Sequence, residues 1–258
     1  MSEPTPRRFG RVPARKPSLP SERDWERSVV LQPRPASRDP ELISDGSGLP
    51  FPPAALDGAA GQLDAGDPAV GVLMAAIARQ AKANAKSRVP WRRRVGPPAP
   101  AEGTPSLDGW RVAARTDEEV LFMRGRPPAL VTVAVRRDSK RAAWTCLAVS
   151  TGRPLRATRE GIRASGWRLD PNREPDPAQS ELRLLITEQT WAGGTRADSR
   201  LLAPDLHLGD EELVLRAFVA PRPGFQVRSP NPETPARVVL PAPLGPRHVI
   251  DGAVYEAT

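Results

Sequence analysis

Along residues 110–150 apolar and polar positions alternate with a period of two, and short turn-forming stretches interrupt the alternation. Segments 110–115 and 119–125 flank Thr116-Asp117-Glu118. Segment 130–136 sets Val131, Val133 and Val135 on one face and Thr132, Ala134 and Arg136 on the other, and Asp138-Ser139-Lys140 turns the chain into 142–150. A strand with one face toward a core gives this period, so the stretch predicts a four-strand antiparallel meander. The pattern resumes downstream. Segment 166–170 reads as a strand. Segment 181–191 reads as a long one, with Leu182, Leu184 and Ile186 on one face and Arg183, Leu185 and Thr187 on the other. Segment 212–220 turns Leu213, Leu215, Ala217 and Val219 inward, and 237–241 and 248–250 complete the set. No strand–helix alternation occurs, which excludes a doubly wound parallel sheet. The expected fold is mainly β, an antiparallel meander or sandwich over 110–258, with a subdivision near 172–180 where the turn-rich sequence NREPDPAQ falls.

A helical period replaces the strand period over 68–89. Val70, Leu73, Met74, Ile77 and Ala81 follow i, i+3, i+4, i+7 spacing, Asp67-Pro68 supplies an N-cap and a first-turn proline, and Pro90 stops the run. This predicts an amphipathic helix. Upstream, prolines recur from Pro4 to Pro53 among charged and small residues. Such a composition buries too little apolar surface to offset its ordering entropy, so residues 1–67 are expected to form a disordered Pro-rich arm. Trp25, Val29–Leu31 and Leu49–Phe51 are its apolar islands. Residues 90–109 read as a basic, then Pro/Gly-rich, linker.

Charge sharpens the picture of the helix. The 258-residue chain has 38 Lys+Arg against 30 Asp+Glu, a formal charge of +8, and only Lys16, Lys82, Lys86 and Lys140 are lysines. No acidic residue lies between Ala69 and Ala101, while Arg79, Lys82, Lys86, Arg88, Arg92, Arg93 and Arg94 do, with Trp91 among them. An apolar first half joined to a basic second half with a tryptophan suits a contact to a protein partner or an anionic surface. Arginine on phosphate with Trp91 stacked on a base would suit nucleic acid. The competing reading is that the helix packs its stripe on the folded part.

Catalytic chemistry finds little support. No phosphate-binding glycine loop and no G-x-S-x-G elbow occurs. Cys146 is the only cysteine, which excludes an intrachain disulfide and a cysteine-type zinc site and, lying in a strand-like run, reads as a buried inert thiol. His207 and His248 are the only histidines, and their spacing does not suggest a metal site. No cofactor is implied. Glu188 continues the inward parity of Leu182, Leu184 and Ile186. A buried carboxylate needs a partner, so a structural arginine pair is expected there, with a hydrolase acid as the alternative. No stretch is long and apolar enough to cross a membrane, and no secretory signal pattern opens the chain. These features predict a cytoplasmic, non-enzymatic binding or scaffold protein.

In the last third, ITEQTWAGG (186–194), VLRAFVA (214–220) and SPNPETPARVVLPAPLGPRHVIDG (229–252) resemble the C-terminal module of a family of uncharacterised actinobacterial proteins, often membrane-tethered or exported. The resemblance extends over about 107–256 and rests on Glu188, Ala192, Gly194, Phe218, Asn231, Pro232, Thr234, Pro235, Pro243, Leu244, Gly245, Arg247, Asp251 and Gly252. The two cysteines of that family's pattern fall on Trp191 and Arg228 here, as loss of a disulfide in a reducing compartment would leave them. The resemblance implies a β module whose matched residues are scaffold.

Overall fold

The computed structural model describes residues 19–58, 61–86, 106–190, 192–224, 226 and 229–256. Helix α1 (Glu22–Glu26) is followed by three short strands, β1 (Val29–Leu31), β2 (Arg34–Pro35) and β3 (Leu42–Ser44). A 3₁₀ turn (Pro53–Asp57) and helix α2 (Pro68–Lys86) lead to β4 (Trp110–Arg115), β5 (Glu119–Arg124), β6 (Val131–Arg137) and β7 (Trp144–Thr151). The hairpin β8 (Arg156–Arg159) and β9 (Ile162–Arg163) comes next. It is followed by β10 (Gly166–Leu169), β11 (Glu181–Thr187), β12 (Leu201–Leu208), β13 (Glu212–Val219), β14 (Thr234–Val239) and β15 (His248–Asp251).

The mainly β expectation holds. Strands β4-β5-β6-β7 form the antiparallel meander in chain order. Two further sheets, ordered β1-β14-β11-β10 and β15-β13-β12-β2, share one core. Leu182, Leu184, Ile186, Ala236 and Val238 meet Leu206, Leu213, Leu215, Ala217 and Val219 there, so these sheets make a sandwich. A small sheet, β3-β8-β9, joins it to the meander.

The stretch 172–180 is not a point of subdivision. Strands β10 and β11 pair antiparallel across it, Gly166 opposite Thr187 and Leu169 opposite Leu184. The change from meander to sandwich runs instead through the β8–β9 hairpin. Three pairings are parallel, β1 with β14, β2 with β12 and β13 with β15. Each joins a strand to one distant in sequence, where no tight hairpin dictates an antiparallel return. The 181–191 strand is shorter than its pattern, ending at Thr187.

The largest correction concerns the arm. Residues 19–58, expected to be disordered, are built into the body; residues 1–18 lie outside the described residues. Ser21 caps α1 through a capping box, its side chain accepting from Asp24 N–H while Asp24 Oδ2 accepts from Ser21 N–H at 2.8 Å. That turn buries Trp25 to 1% exposure. Strand β1 then extends one sandwich sheet, β2 the other, and β3 the small sheet. Ile43 and Phe51, both fully buried, exchange backbone hydrogen bonds of 2.8 and 2.9 Å and pack with Leu56 on Leu121, Met123 and Ala134 of the meander. The Thr132/Ala134 face, expected to be polar, is thus covered by this strap. Composition misled because few apolar residues are present, yet the bulky Trp25, Ile43, Phe51 and Leu56 are all buried.

On the opposite face of the meander, α2 packs Ala69, Val70, Leu73 and Ala76 on Val120, Phe122, Val133 and Val135. Met74 and Ile77 are half-buried. Asp67 starts the helix as the sequence anticipates. Its Oδ1 accepts from Ala69 N–H at 2.9 Å and its other oxygen pairs with Arg115. Residues 87–89 and the linker residues 90–105 lie outside the described residues.

Asp45, 3% exposed, pins the strap to the meander. Its carboxylate accepts from Ser47 N–H at 2.9 Å, from Ser47 Oγ and from the buried Thr132 hydroxyl. Burial alone would push this carboxyl up, but the Ser47 and Thr132 hydrogen bonds outweigh it and hold the group below its ordinary value.

Two outcomes are expected in urea unfolding of the full chain. Trp25→Ala lowers stability by about 3–5 kcal/mol, the cost of a large core truncation, whereas a disordered arm would give no change. Asp45→Asn lowers stability at neutral pH, and the gap to the parent closes as the pH falls through the depressed native value. A carboxyl whose native pKa lies below its unfolded one stabilises only while it is ionised.

Candidate functional site

The stripe of α2 is taken up by the meander, so the helix offers only its outer face. Arg79 and Lys82 are exposed on it. Lys86 closes the helix, and its side chain, with Arg88, Trp91, Arg92, Arg93 and Arg94, lies outside the described residues. The helix packs over β6 and β7. Strand β7 is the edge of its sheet, with β6 as its one neighbour. A register shift pairs Ala134 with Ala148 and Val135 with Cys146, leaving Leu147 as a bulged residue. Leu147 and Val149 are 45% and 39% exposed. Bulges protect edges from indiscriminate pairing, but large apolar side chains on an open edge invite a partner strand. The turn into β7 adds exposed Lys140 and Arg141, whose N–H groups donate to Asp138 Oδ1. Cys146, expected to be buried, is half-buried at this same edge.

Glu188 follows β11 and turns inward, its side chain 4% exposed. Arg200 Nη1 donates to one carboxylate oxygen at 2.8 Å and Nη2 to the other at 2.6 Å, and the Thr190 hydroxyl donates at 2.9 Å. Arg200 also donates to Ala220 O. Both oxygens are therefore committed, which makes Glu188 a structural charge and a poor general base. His207 lies on β12 and His248 on β15, with β13 between them. Among the described residues no group of three or more His, Cys, Asp or Glu could hold a metal.

A cleft of about 640 Å³ opens between strap residues 34–42, the β8–β9 hairpin and strands β12 and β13. Asp205 on its wall accepts from Arg34 at 3.1 Å and from Arg159 at 2.7 Å, and the Arg159 guanidinium lies 4.3 Å from the centre of the Phe218 ring. Arg216, 3% exposed, donates to the carbonyls of Gly252, Ser37 and Arg38. Burial lowers its pKa, and the carbonyl cage is what makes the buried charge tolerable. The inner charges of this cleft thus tie strap to sandwich, and neither histidine nor cysteine lines it.

Of the residues that carry the family resemblance, Asn231 and Thr234 clasp the 188–197 loop and Arg247 holds a separate turn. Asn231 accepts from Ala192 N–H at 3.1 Å and donates to the carbonyls of Glu188 and Thr190. Thr234 accepts from Ala197 N–H at 2.8 Å. Arg247 donates to the carbonyls of Gly209 and Leu244. Trp191 and Arg228 lie outside the described residues. Sequence reading missed the β8–β9 hairpin. Glu160 and Gly161 both have positive φ, 51° and 76°; such a turn is ordinarily marked by Asn, Asp or Gly before glycine, and Glu160 gave only the glycine half of that signal. No family model matches the chain, and neither a curated protein nor a solved structure does. No described helix is long and apolar enough to cross a membrane.

Removing the Glu188 charge leaves Arg200 buried and half-satisfied. Glu188→Gln is expected to lower stability in urea unfolding by about 3–5 kcal/mol without a change in partner binding. Loss of a binding or chemical function at unchanged stability would instead assign Glu188 to a working site.

Proposed function

We propose that this chain is a non-enzymatic binding module that engages an acidic protein partner on the face formed by α2 and the β7 edge. The observation that carries this reading is the coincidence of three features on one layer. The apolar stripe of α2 is already covered, its outer face presents Arg79 and Lys82, and the strand beneath leaves Leu147 and Val149 exposed. An extended acidic segment suits both elements. Its backbone would pair with β7, its apolar side chains would cover Leu147 and Val149, and its carboxylates would meet the basic surface. The basic run that follows α2 in sequence extends the same charge. The commitment of Glu188 to Arg200 argues against the hydrolase alternative.

Amine-reactive cross-linking tests this directly, because the chain has only four lysines. Cross-links to the co-purifying partner are expected at Lys82, Lys86 and Lys140, and a charge in the apolar patch, Leu147→Asp, is expected to abolish them while leaving the fold intact. Cross-links at Lys16 alone would contradict the reading. So would binding to any polyanion that weakens steeply with salt and is unaffected by Leu147→Asp, the signature of nucleic acid.

A further inference from the structure

Buried and half-buried arginines in this protein are as a rule supplied with acceptors. Arg159 and Arg200 have carboxylates within 3 Å, Arg111 and Arg216 each donate to three carbonyls, and Arg183 has Glu22 and Asp170. Arg156 and Arg163 depart from that rule. Arg156 makes one long hydrogen bond, 3.4 Å to Ala164 O, and Arg163 makes one, 3.4 Å to Pro154 O. Among the described residues neither has a carboxylate within 4 Å, and the Arg163 Nε–H is enclosed without an acceptor. A guanidinium carries five N–H donors, so most of this donor capacity is unspent.

The hairpin brings the two together. Thr158 lies opposite Arg163, and Arg156 precedes Thr158 by two, so both arginines project from one face of the sheet as diagonal neighbours. Arg153, exposed, lies just before them in the loop leading to β8. Gly46 of the strap closes the other side. Its φ of +82° favours glycine, and a Cβ there would lie 2.5 Å from Arg163 Nη1, so a larger residue would displace the guanidinium from its present place. The three charges act on one another. Burial first, then Arg156 and Arg153, disfavour the charged form of Arg163, while Asp45 favours it. The nearby acids only partly offset this charge: Asp45 accepts from Ser47 and Thr132, and Asp251, which burial pushes above its ordinary value, accepts from Ala253 N–H and acts on Arg156 from beyond ion-pair distance.

We propose that Arg153, Arg156 and Arg163 form a binding site for a phosphate-class oxyanion where strap residues 44–47 meet the β8–β9 hairpin. A tetrahedral dianion offers oxygens to several guanidiniums at once and offsets two of the three positive charges, where a single carboxylate would offset one. All three ligands come from the segment 153–163, and the strap contributes only the Gly46 backbone that bounds the site, so bound anion stabilises the fold by binding the native state alone. This site is separate from the α2–β7 face and does not depend on the reading given for it.

The test is calorimetric titration of the full chain with inorganic phosphate, in chloride buffer of matched ionic strength at pH 7.5. Saturable binding is expected, together with a rise in the unfolding midpoint that chloride does not reproduce. R163Q is expected to weaken phosphate binding by about tenfold or more, since it removes charge-assisted hydrogen bonds. R153Q, at an exposed position where folding is not at stake, is expected to weaken it by a smaller factor. Phenyl phosphate in a parallel titration separates the sources: tighter binding than inorganic phosphate assigns a phosphate monoester, and equal or weaker binding assigns the free anion. Identical midpoints in phosphate and chloride would overturn the proposal, and so would a phosphate affinity that survives in both R153Q and R163Q.

Discussion

The structure depends on edge completion by the strap. A sheet edge leaves a row of N–H and C=O groups without partners and a margin of core open to water. Residues 29–44 add one strand to each sandwich sheet and one to the small connecting sheet. The chain then covers a face of the meander with Ile43, Phe51 and Leu56 before α2 covers the other. One continuous segment therefore touches all four sheets. Burial of Trp25, Leu31, Ile43 and Phe51 supplies the driving force. Each such side chain is worth about 1.5–3 kcal/mol on removal from water, enough together to offset the ordering of a proline-rich segment whose unfolded state is already restricted.

Electrostatics sets where the strap lies more than how tightly it binds. Glu22 meets Arg183, Arg34 meets Asp205, Arg38 meets Glu212, Asp57 meets Arg126 and Asp67 meets Arg115. Most of these pairs have at least one exposed partner, and such pairs contribute little to stability. Their value lies in register, since a slip along an edge would set like charges together. Where strap and body meet, arginines are mostly supplied with carboxylates or carbonyls. The hairpin carrying Arg156 and Arg163 is an exception to that pattern, and the outer face of α2 presents Arg79 and Lys82 to solvent. At both an external anion has something to add.

Period and parity made much of the body readable. All four meander strands, the inward sets of β11 and β13 and the inward direction of Glu188 follow from alternation, and Asp67-Pro68 marked the cap; strand β12 (Leu201–Leu208) was not readable, because Pro204 and Asp205 interrupt its apolar pattern. The stripe on α2 was readable too, although its centre is shifted from Met74 toward Ala76. The strap was not readable, because its strands are two or three residues long and a period cannot be established over so few positions. A local signal was present in Ser21-x-x-Asp24, which resembles a capping box and marks a helix start just before Trp25. Parallel pairing at β1, β2 and β15 was equally hidden, since it reflects contacts across more than a hundred residues or, for β15, across the β14 connection. The arginine site needed the hairpin turn at Glu160-Gly161 before its spacing meant anything.

Hydrogen exchange resolved along the chain tests the integral strap most directly. Amides of β1, which pairs with β14, and of Ile43, which donates to Phe51 O, are expected to exchange as slowly as those of the neighbouring core strands β11 and β14, in one cooperative unit. Exchange of residues 19–58 at the rate of an unstructured peptide, with the core strands still protected, would contradict it.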